Sequence, residues 1–514
     1  PQHISILNND IKYGVAIDTA SIIITTAPLS GTATISPNGY IIYVSNAGFT
    51  GTDQFSYQMK NKNGQLSNIA NVTITVTSTC GSQEAEPDPN RPKRELRGSW
   101  VSSVSNIDWP SSRTLTTAQQ QAELIKILDS LQATNINTVF LQVRPEADAL
   151  YASNYEPWSY WLTNAQGTAP NPLWDPLQFA IDGAHARGME LHAWINPFRA
   201  KQSTPTLASG HVASQHPDWT FVSGTITMLN PGIPQVRKYI TDVVADIAGR
   251  YNVDGIHFDD YFYPYAGMTG QDDATYTTYN PGNITNINDW RRDNINRLIA
   301  QVYDTIQYIN NNNSRNVIFG VSPFGIWKSG TPAGITGTSS FSSIYCDPIA
   351  WLQAGKVDYI APQLYWKITG AQDYAALSQW WNDQGVLYNR FIYPGLALYK
   401  MADDNNWAGT EIENQIGLNK AASREQIKGQ IMFSNKQLMG NVKNIKTLLQ
   451  NNHYQYKALN PILNWKETIC PNPPSGVSIT KDTLYWNAPE AAADGDLAKK
   501  YVVYRFANAA QALG

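Results

Sequence analysis

Cysteine is scarce in this chain of 514 residues, which contains only Cys80, Cys346 and Cys470. The three are far apart and form no Cys-x-x-Cys or Cys/His arrangement. The sequence therefore predicts neither a disulfide framework nor a zinc site.

Charge and long apolar runs are scarce as well. Only 15% of the residues are charged, the formal net charge is -4 and no basic run is present, so a nucleic acid or anionic membrane partner has no electrostatic basis. No apolar run of about 18 residues is available to cross a membrane. The chain begins at Pro1 without Met or a signal peptide, and we expect a processed or trimmed soluble form.

Aromatic residues, by contrast, are abundant, with 16 Trp and 28 Tyr. Their rings can stack on the apolar faces of sugars, although burial beneath the loops of a large domain accounts for most of them. The length allows two to four domains, and one of these could be a barrel of more than about 250 residues.

Composition divides the chain into four segments. Residues 1–78 carry short alternating runs of Thr, Ile and Val between turn residues, a pattern that predicts an all-β sandwich. Residues 79–93 are polar and proline-rich, which is typical of a linker. Residues 94–465 repeat a pattern of strand, loop and helix, and residues 471–514 contain further strand-like runs that stop short of a complete β module.

The long segment predicts an α/β fold, the (β/α)8 TIM barrel, because it contains eight strand candidates separated by helical patterns. Helical periodicity is clear in Leu124, Leu128 and Leu131. The predicted strands are Leu96 to Val104, Asn137 to Arg144, Glu190 to Asn196, Val253 to Phe258, Asn316 to Ser322, Asp358 to Tyr365, Phe391 to Lys400 and Gly429 to Ser434.

The fourth predicted strand ends in two adjacent carboxylates, Asp259 and Asp260, followed by the aromatic Tyr261. Two neighbouring Asp residues are poor strand formers and costly to bury without partners. Alternation along the strand directs His257 and Asp259 inward. Asp254, which precedes the strand, is expected at a turn or at the bottom face of the barrel.

Polar side chains of the same inward parity follow other strands, at the end where barrel active sites lie. A capped or salt-bridged pair would explain Asp259 and Asp260 alone, but polar ends on four strands favour a site. We expect substrate contacts from Trp366, despite its outward parity, and from the inward group. That group contains Arg144 on strand two, His192, Trp194 and Asn196 with nearby Arg199 on strand three, His257 and Tyr261 at strand four, and Gln363 and Tyr365 on strand six.

The residue types fit glycoside hydrolysis, which needs a carboxylic acid near the leaving oxygen and a second group that stabilises the oxocarbenium-like state. The candidate catalytic carboxylates are Asp259, Asp260, Glu146 and Asp347. A metal site has less support because no His-x-x-x-His helix is present, and no Gly-x-Ser-x-Gly elbow indicates a serine hydrolase. We therefore expect no metal and no cofactor.

Seven motifs in the same order resemble the glycosyl-hydrolase-like family 10 barrels, whose bacterial members include a glycosidase that cuts peptidoglycan strands stripped of their peptides. The motifs are Arg97-Gly98-Ser99-Trp100-Val101, Gln142-Val143-Arg144-Pro145, Leu191 to Arg199, Asp254 to Phe262, Asp289-Trp290-Arg291-Arg292, Val321-Ser322-Pro323 and Ala361 to Trp366. The resemblance implies a barrel glycosidase of the cell envelope with catalytic carboxylates at Asp259 and Asp260. It also implies an exported protein of the periplasm, outer membrane or cell surface.

The flanking segments resemble other modules. Residues 48–57 resemble cadherin-like or immunoglobulin-like modules of bacterial surface proteins, which implies a spacer or adhesion role. Residues 471–505 resemble the first half of a fibronectin type III module. These modules could associate the protein with a cell surface.

Two mechanisms are open at this point. In one, Asp259 pairs with Glu146 or Asp347 as acid and base or acid and nucleophile. In the other, Asp259 and Asp260 act as in substrate-assisted N-acetylhexosaminidases, which requires that the strand end before Asp260. Two other functions also stay open, a catalytically silent glycan-binding surface protein and a metal-dependent polysaccharide deacetylase.

Overall fold

The computed structural model describes residues 2–4, 17–36, 41–46, 49, 51–76, 94–202, 204–403, 407–466, 469, 471–481, 483–492, 495, 497–498, 501 and 503. The chain divides into two compact units. One, the barrel unit, spans Asp88–Pro461, and the other, the flanking unit, combines Pro1–Pro87 with Ile462–Gly514. The predicted linker at 79–93, Cys80 and Cys470 lie outside the described residues.

The flanking unit is built from β-strands. Two antiparallel three-stranded sheets form its N-terminal part, and Phe55, Tyr57 and Met59 alternate inward into a small core with Ile22, Ile41 and Tyr43. A separate two-stranded sheet is formed by Ser475–Thr480 and Thr483–Asn487. The N-terminal strands are Gln2–Ile4, Ile17–Thr26, Gly31–Ile35, Ile41–Ser45, Gly51–Asn61 and Ala70–Val76.

The barrel unit confirms the predicted fold class. Its parallel strands are β1 Leu96–Val101, β2 Thr138–Arg144, β3 Glu190–Ile195, β4 Gly255–Phe258, β5 Ile318–Val321, β6 Tyr359–Ile360, β7 in two pieces Phe391–Ile392 and Gly395–Ala397, and β8 Gly429–Phe433. The first piece of β7 pairs with β6, the second pairs with β8, and β8 pairs with β1. The sheet therefore closes through the two pieces of β7.

Proline explains why β6 and β7 are shorter than predicted. Pro362 and Pro394 have no N–H to donate to a neighbouring strand. Their carbonyls still accept, from Gly395 N at 2.8 Å and from Ile431 N at 3.1 Å. The barrel thus keeps its closure across the break at Pro394, although the regular ladder is interrupted.

The connections between the strands carry the helices, and the longer ones bury an apolar face against the sheet. In the helix Pro234–Arg250, for example, Val236, Ile240, Val243 and Ile247 are buried, as its periodicity predicts. The helices are α1 Thr117–Ala133, α2 Tyr160–Thr163, α3 Pro176–His185, α4 Val212–Gln215, α5 Pro234–Arg250, α6 Asp273–Thr278, α7 Ile287–Asn313, α8 Ser340–Ser343, α9 Pro348–Gln353, α10 Tyr374–Tyr388, α11 Lys400–Asp403, α12 Gly409–Asn419, α13 Asn435–Met439 and α14 Ile445–Asn451.

Three short strands after β3 form an antiparallel sheet: Arg199–Lys201, Thr220–Ser223 and Ile226–Leu229. Short 3-10 helices occur at Val104–Asn106, Pro217–Trp219 and Val442–Asn444. No helix in the described part of the chain is long and apolar enough to cross a membrane.

The barrel interior contains a chain of buried polar aromatic side chains. Trp100 Nε1 donates to His257 Nε2 at 3.1 Å, and the Tyr359 hydroxyl lies 3.0 Å from His257 Nδ1 and 3.1 Å from His192 Nδ1. Burial lowers the pKa of His257 well below its usual value, so its ring is neutral. Gly320 makes room for this layer, since a Cβ there would overlap the Tyr359 ring.

Candidate active site

The site lies at the carboxyl end of β4, where barrel enzymes place their catalytic groups. The strand ends at Phe258, so Asp259 and Asp260 both belong to the following loop. Alternation along a strand therefore does not separate them. Asp254 lies at the opposite end of β4, where it accepts hydrogen bonds from His185 Nε2 and Leu191 N, in agreement with its predicted position.

Asp259 is 5% exposed and is held by a neighbouring strand. Trp194 Nε1, from β3, donates to its Oδ2 at 3.1 Å, and the Tyr261 amide donates to its Oδ1 at 3.4 Å. Burial raises the pKa of Asp259 to about 6, while the nearby Arg199 acts in the opposite direction. Arg199 and Trp194 therefore favour the ionised carboxylate.

Asp260 is 3% exposed and accepts a hydrogen bond from a different residue. The Tyr265 hydroxyl donates to its Oδ2 at 2.9 Å. Burial and, after it, the negative charge of Asp259 raise the pKa of Asp260 to about 7. Two adjacent buried carboxylates do not readily ionise together, so Asp260 holds a proton more readily than its neighbour.

Arg199, Tyr261 and Tyr265 form a stack beside the carboxylates. The Arg199 guanidinium lies 3.9 Å from the centroid of the Tyr261 ring, and this ring stacks on Tyr265 with centroids 4.8 Å apart. Tyr265 in turn makes an edge contact with Phe324, after β5. The stack thus connects loops after β3, β4 and β5 around the carboxylate pair.

Asn196 and Arg199 carry buried donors that face no partner among the described residues. Asn196 accepts from the Arg199 amide through Oδ1, but its Nδ2 has no acceptor there, and neither has Arg199 Nε. Buried polar groups are nearly always paired, so two unpaired donors in the loop after β3 are what a site that binds oxygen-rich ligands would present. The role of Asn196 and Arg199 as substrate contacts stays a prediction.

Glu146 and Asp347 occupy other environments. Glu146 is buried in the loop after β2, where its Oε2 accepts from the Thr204 hydroxyl at 2.7 Å and from the Thr204 amide at 3.2 Å. Asp347 caps α9, and its Oδ1 accepts from Trp327 Nε1 at 3.0 Å and from the Ala350 amide. Burial raises the pKa of the Cys346 thiol, and the charges of Asp347 and Asp260 raise it as well, so the three side chains lie within electrostatic range of one another.

Arg144 points away from the direction that alternation predicts, because a register shift between Gln142 and Arg144 interrupts β2. Its guanidinium makes a two-pronged ion pair with the buried Glu156, which also accepts from Tyr239 on α5. A further N–H donates to the carbonyls of Asn196 and Pro197. The predicted axial direction of Arg144 is therefore wrong, and its predicted substrate contact gains no support.

His192 and His257 lie inside the barrel, where both are fully buried and hydrogen-bonded to Tyr359. They therefore belong to the packed interior beneath the site and are not exposed at its surface. Within the described ranges, no three His, Cys, Asp or Glu side chains come together as metal ligands.

The predicted residues of strand six lie beyond the regular part of β6. Gln363 donates to the Ser322 carbonyl at 3.0 Å, and Tyr365 contacts the rings of Tyr399 and Phe433. Burial and the neighbouring Tyr399 raise the pKa of Tyr365, and the charge of Asp260 acts in the same direction, so this ring lies within electrostatic range of Asp260. Trp366 points into a separate cleft with Tyr399 and Trp407.

Sequence reasoning missed Tyr265, which holds Asp260, and Asp148, a buried carboxylate beside Glu146. Tyr265 follows Tyr261 by four residues in an aromatic loop, and that clustering was its available signal. No sequence signal identifies Asp148, because it accepts hydrogen bonds from Tyr160 N and Gln166 Nε2, which are distant in sequence.

Known proteins similar to this chain include two bacterial glycosyl hydrolases and a solved glycoside hydrolase domain. Glycosyl hydrolase YngK of Bacillus subtilis (strain 168) is 39% identical over 403 residues, which cover 76% of this chain and 78% of YngK. Glycosyl hydrolase DigH of Escherichia coli (strain K12) is 38% identical over 390 residues, covering 70% of this chain and 87% of DigH. A solved structure, the PgaB (BpsB) glycoside hydrolase domain from Bordetella bronchiseptica, shares 14% identity with a TM-score of 0.46, covering 70% of this chain and 98% of that domain.

Two families match the sequence directly. The bacterial Ig domain family matches residues 2–75, in agreement with the predicted immunoglobulin-like module. The family described as glycosyl hydrolase-like 10 matches residues 95–409, which contain the carboxylate pair. The chain therefore belongs to the glycosyl hydrolase-like 10 family and is a glycoside hydrolase.

Proposed function

We propose that this glycoside hydrolase cuts an N-acetylated glycan of the bacterial envelope, most naturally peptidoglycan strands, with Asp259 and Asp260 as its catalytic pair. The observation that carries the proposal is the pair itself: two adjacent buried carboxylates after β4 that differ in pKa. Since such a glycan lies outside the cytoplasm, the proposal includes export of the protein to the envelope or cell surface.

The surroundings of the two carboxylates suggest different roles. Asp260 is the proton donor, because burial and the neighbouring charge favour its protonated form. Asp259 stays ionised beside Arg199 and Trp194 and accepts a hydrogen bond from the acetamido N–H of the sugar. A pair that shares one proton is the arrangement that acid catalysis next to a carboxylate requires.

The reaction then uses the substrate's own acetamido group as nucleophile, one of the known exceptions to the two-carboxylate scheme. The acetamido oxygen bonds to the anomeric carbon while the bond from that carbon to the leaving oxygen breaks. The Asp260 proton passes to the leaving oxygen. Water then attacks the same anomeric carbon, returns a proton to Asp260 and restores the acetamido group, so the anomeric configuration is retained.

Several other groups are placed to hold the sugar. Asn196 Nδ2 and Arg199 Nε are buried donors, suited to hydroxyl or carbonyl oxygens. Tyr261 and Tyr365 offer partly exposed rings near the carboxylates on which a pyranose can stack. The pairings with Glu146 or Asp347 receive less support, because the first is engaged by Thr204 and the second caps a helix.

The test is hydrolysis of purified peptidoglycan strands, with and without stem peptides, followed by mass spectrometry of the products and an assay of new reducing ends. Wild-type protein should release N-acetylated oligosaccharides. The Asp259→Asn protein should lose activity by a factor of about 10² to 10⁴ because the charge that orients the acetamido group is removed.

Asp347→Asn is the matched control, since Asn also serves as a helix cap and the loop should keep its structure. Near-normal turnover by Asp259→Asn, or a loss in Asp347→Asn as large as in Asp259→Asn, would overturn the catalytic assignment. Absence of any new reducing end from folded wild-type protein would overturn the substrate.

A further inference from the structure

Gln142, on β2, is a fully buried amide side chain whose two ends have different surroundings. Its Oε1 accepts hydrogen bonds from the segment that follows β1. The Ser103 and Val104 amides donate to it at 3.0 and 2.9 Å, and the Ser102 hydroxyl donates at 3.1 Å. Its Nε2 has no acceptor among the described residues. One end of the amide is therefore well paired, and the other end carries donors without a partner.

The hydrogen bonds also determine which way the Gln142 amide is oriented. A backbone N–H can only donate, and so can the NH2 group of a glutamine side chain. An amide rotated by 180° would therefore set Nε2 against the donors of Ser103 and Val104. The segment after β1 thus selects Nε2 as the end that faces away from it.

Strands β2 and β3 place this unpaired donor close to the carboxylate pair. Gln142 is the register partner of Trp194, whose Nε1 donates to Asp259 Oδ2 at 3.1 Å. Alternation along β2 directs Gln142 to the barrel axis, because Phe140, two residues earlier, contacts the His257 ring inside the barrel. Gln142 is therefore a neighbour of the side chain that binds Asp259.

Anchoring of the segment after β1 explains only the oxygen of the Gln142 amide. Buried polar groups are nearly always paired, and an unpaired donor in the interior is unfavourable. A ligand that supplies an acceptor oxygen would complete the pairing of Nε2. Sugars carry such oxygens in their hydroxyl groups, each of which can accept a hydrogen bond.

We propose that Gln142 is a substrate-binding residue of this glycoside hydrolase, and that its Nε2 donates a hydrogen bond to an oxygen of the sugar unit held at Asp259. This inference rests on the proposed function, which supplies the position of the sugar. The bonds to Oε1 hold the amide in place before the sugar binds, so little side-chain entropy is lost on binding. Gln142 thus adds a donor from β2 to those of Asn196 and Arg199 after β3.

The first experiment uses two substitutions that treat the ends of the amide differently. Gln142→Met keeps the length of the side chain and removes both ends. Gln142→Glu keeps an acceptor for the segment after β1 but replaces Nε2 by an oxygen that donates only when it is protonated. The probe is N-acetylglucosamine, and its Kd is measured by isothermal titration calorimetry. Gln142→Met should weaken binding by about tenfold, the factor for loss of one hydrogen bond in a buried site.

The pH dependence of Gln142→Glu separates substrate contact from loop anchoring, because the two roles predict opposite signs. The measured quantity is the affinity of Gln142→Glu divided by that of Gln142→Met, a ratio that cancels the titration of groups common to both proteins. A protonated Glu can donate to the sugar, so the ratio should rise as the pH falls. An anchor works best as the ionised carboxylate, which accepts more strongly. A ratio that falls or stays constant as the pH falls would overturn the proposal.

The matched control is Gln301→Met, which removes an exposed amide on α7 and should leave the affinity unchanged. Thermal unfolding by circular dichroism verifies that each variant is folded. If Gln142→Met does not fold, the affinity of Gln142→Glu is divided by that of wild-type protein, and the same signs apply.

The second experiment measures kcat/KM on peptidoglycan strands, where Gln142→Met should also lose about tenfold. Full activity of Gln142→Met would overturn the contact while the proposed function stands. Binding of N-acetylglucosamine that depends on Gln142, in a wild-type protein that cuts no strand, would support the contact and overturn the proposed substrate. Equal binding by wild-type protein and Gln142→Met, including no binding by either, counts against the contact.

Discussion

Asp259 and Asp260 are neighbours in sequence but are held by different parts of the barrel. Trp194 from β3 donates to Asp259, whereas Tyr265 from the loop after β4 donates to Asp260. Burial raises the pKa of both, the positive charge of Arg199 acts in the opposite direction on both, and the charge of Asp259 raises the pKa of Asp260. The chemical difference between two identical side chains therefore comes from their donors and from each other.

We expect hydrolysis to follow a bell-shaped pH profile. Activity should fall at low pH as Asp259, with a pKa of about 6, takes up a proton, and at high pH as Asp260, with a pKa of about 7, loses one. Tyr265→Phe removes a donor that stabilises the Asp260 carboxylate, so the pKa of Asp260 should rise and the alkaline limb should move to higher pH.

The measurement is kcat/KM against pH for wild-type protein and Tyr265→Phe. Tyr308→Phe, which removes a hydroxyl from a side chain 69% exposed on α7, is the control and should leave the profile unchanged. If the alkaline limb of Tyr265→Phe stays in place or moves to lower pH, then Asp260 is not the group whose ionisation determines that limb.

The end of β2 shows how one element positions another. After the register shift, the Arg144 guanidinium binds Glu156 in the same loop region and reaches the carbonyls of Asn196 and Pro197 after β3. Both charged side chains are fully buried. Because the carbonyl of Asn196 is fixed in this way, the loop that carries Asn196 and Arg199 toward Asp259 is anchored by an ion pair outside the site.

Glu156→Gln should lower the free energy of unfolding by about 3 to 5 kcal/mol, because it leaves Arg144 as a buried charge without its counterion. Asp129→Asn breaks the exposed ion pair with Arg187, in which Asp129 is 59% exposed, and should cost at most about 1 kcal/mol. Urea denaturation measures both. Similar midpoints for the two variants would contradict the anchoring role of the Arg144 and Glu156 pair.

The barrel unit depends on the segment that follows its last helix. Tyr454 is fully buried, its hydroxyl accepts from Gln430 on β8 at 2.6 Å, and its ring lies 4.3 Å from the Arg97 guanidinium on β1. Asn137 Nδ2, at the start of β2, donates to the Ala458 carbonyl at 2.9 Å. Residues 452–461 therefore join the first, second and last strands at the end of the barrel opposite the site.

A fragment of residues 88–461 should fold and hydrolyse the substrate with a kcat/KM comparable to that of the full chain, since it contains one complete compact unit. A fragment of residues 88–450 should fail to unfold cooperatively, because Arg97 and Gln430 would lose buried partners. Circular dichroism melts and the reducing-end assay measure both. Equal melting temperatures for the two fragments would contradict the role of Tyr454.

Local pattern sufficed to predict the eight strands, the long helices and the position of Asp259 and Asp260, because hydrophobic alternation and proline or glycine boundaries act over a few residues. His257 and His192 were correctly directed toward the barrel axis, since strand alternation holds at their positions. The family resemblance added the glycoside hydrolase activity, which the geometry of the described residues and the relatives support.

Contacts between residues distant in sequence determine the features that local pattern does not predict. The direction of Arg144 follows from a register shift that no single strand encodes, and the engagement of Glu146 with Thr204 depends on a loop 58 residues later. The different proton affinities of Asp259 and Asp260 arise from burial and from donors on separate elements. Sequence alone predicts which residues carry the chemistry, but the electrostatic field at each carboxylate is a sum over neighbours that only folding brings together.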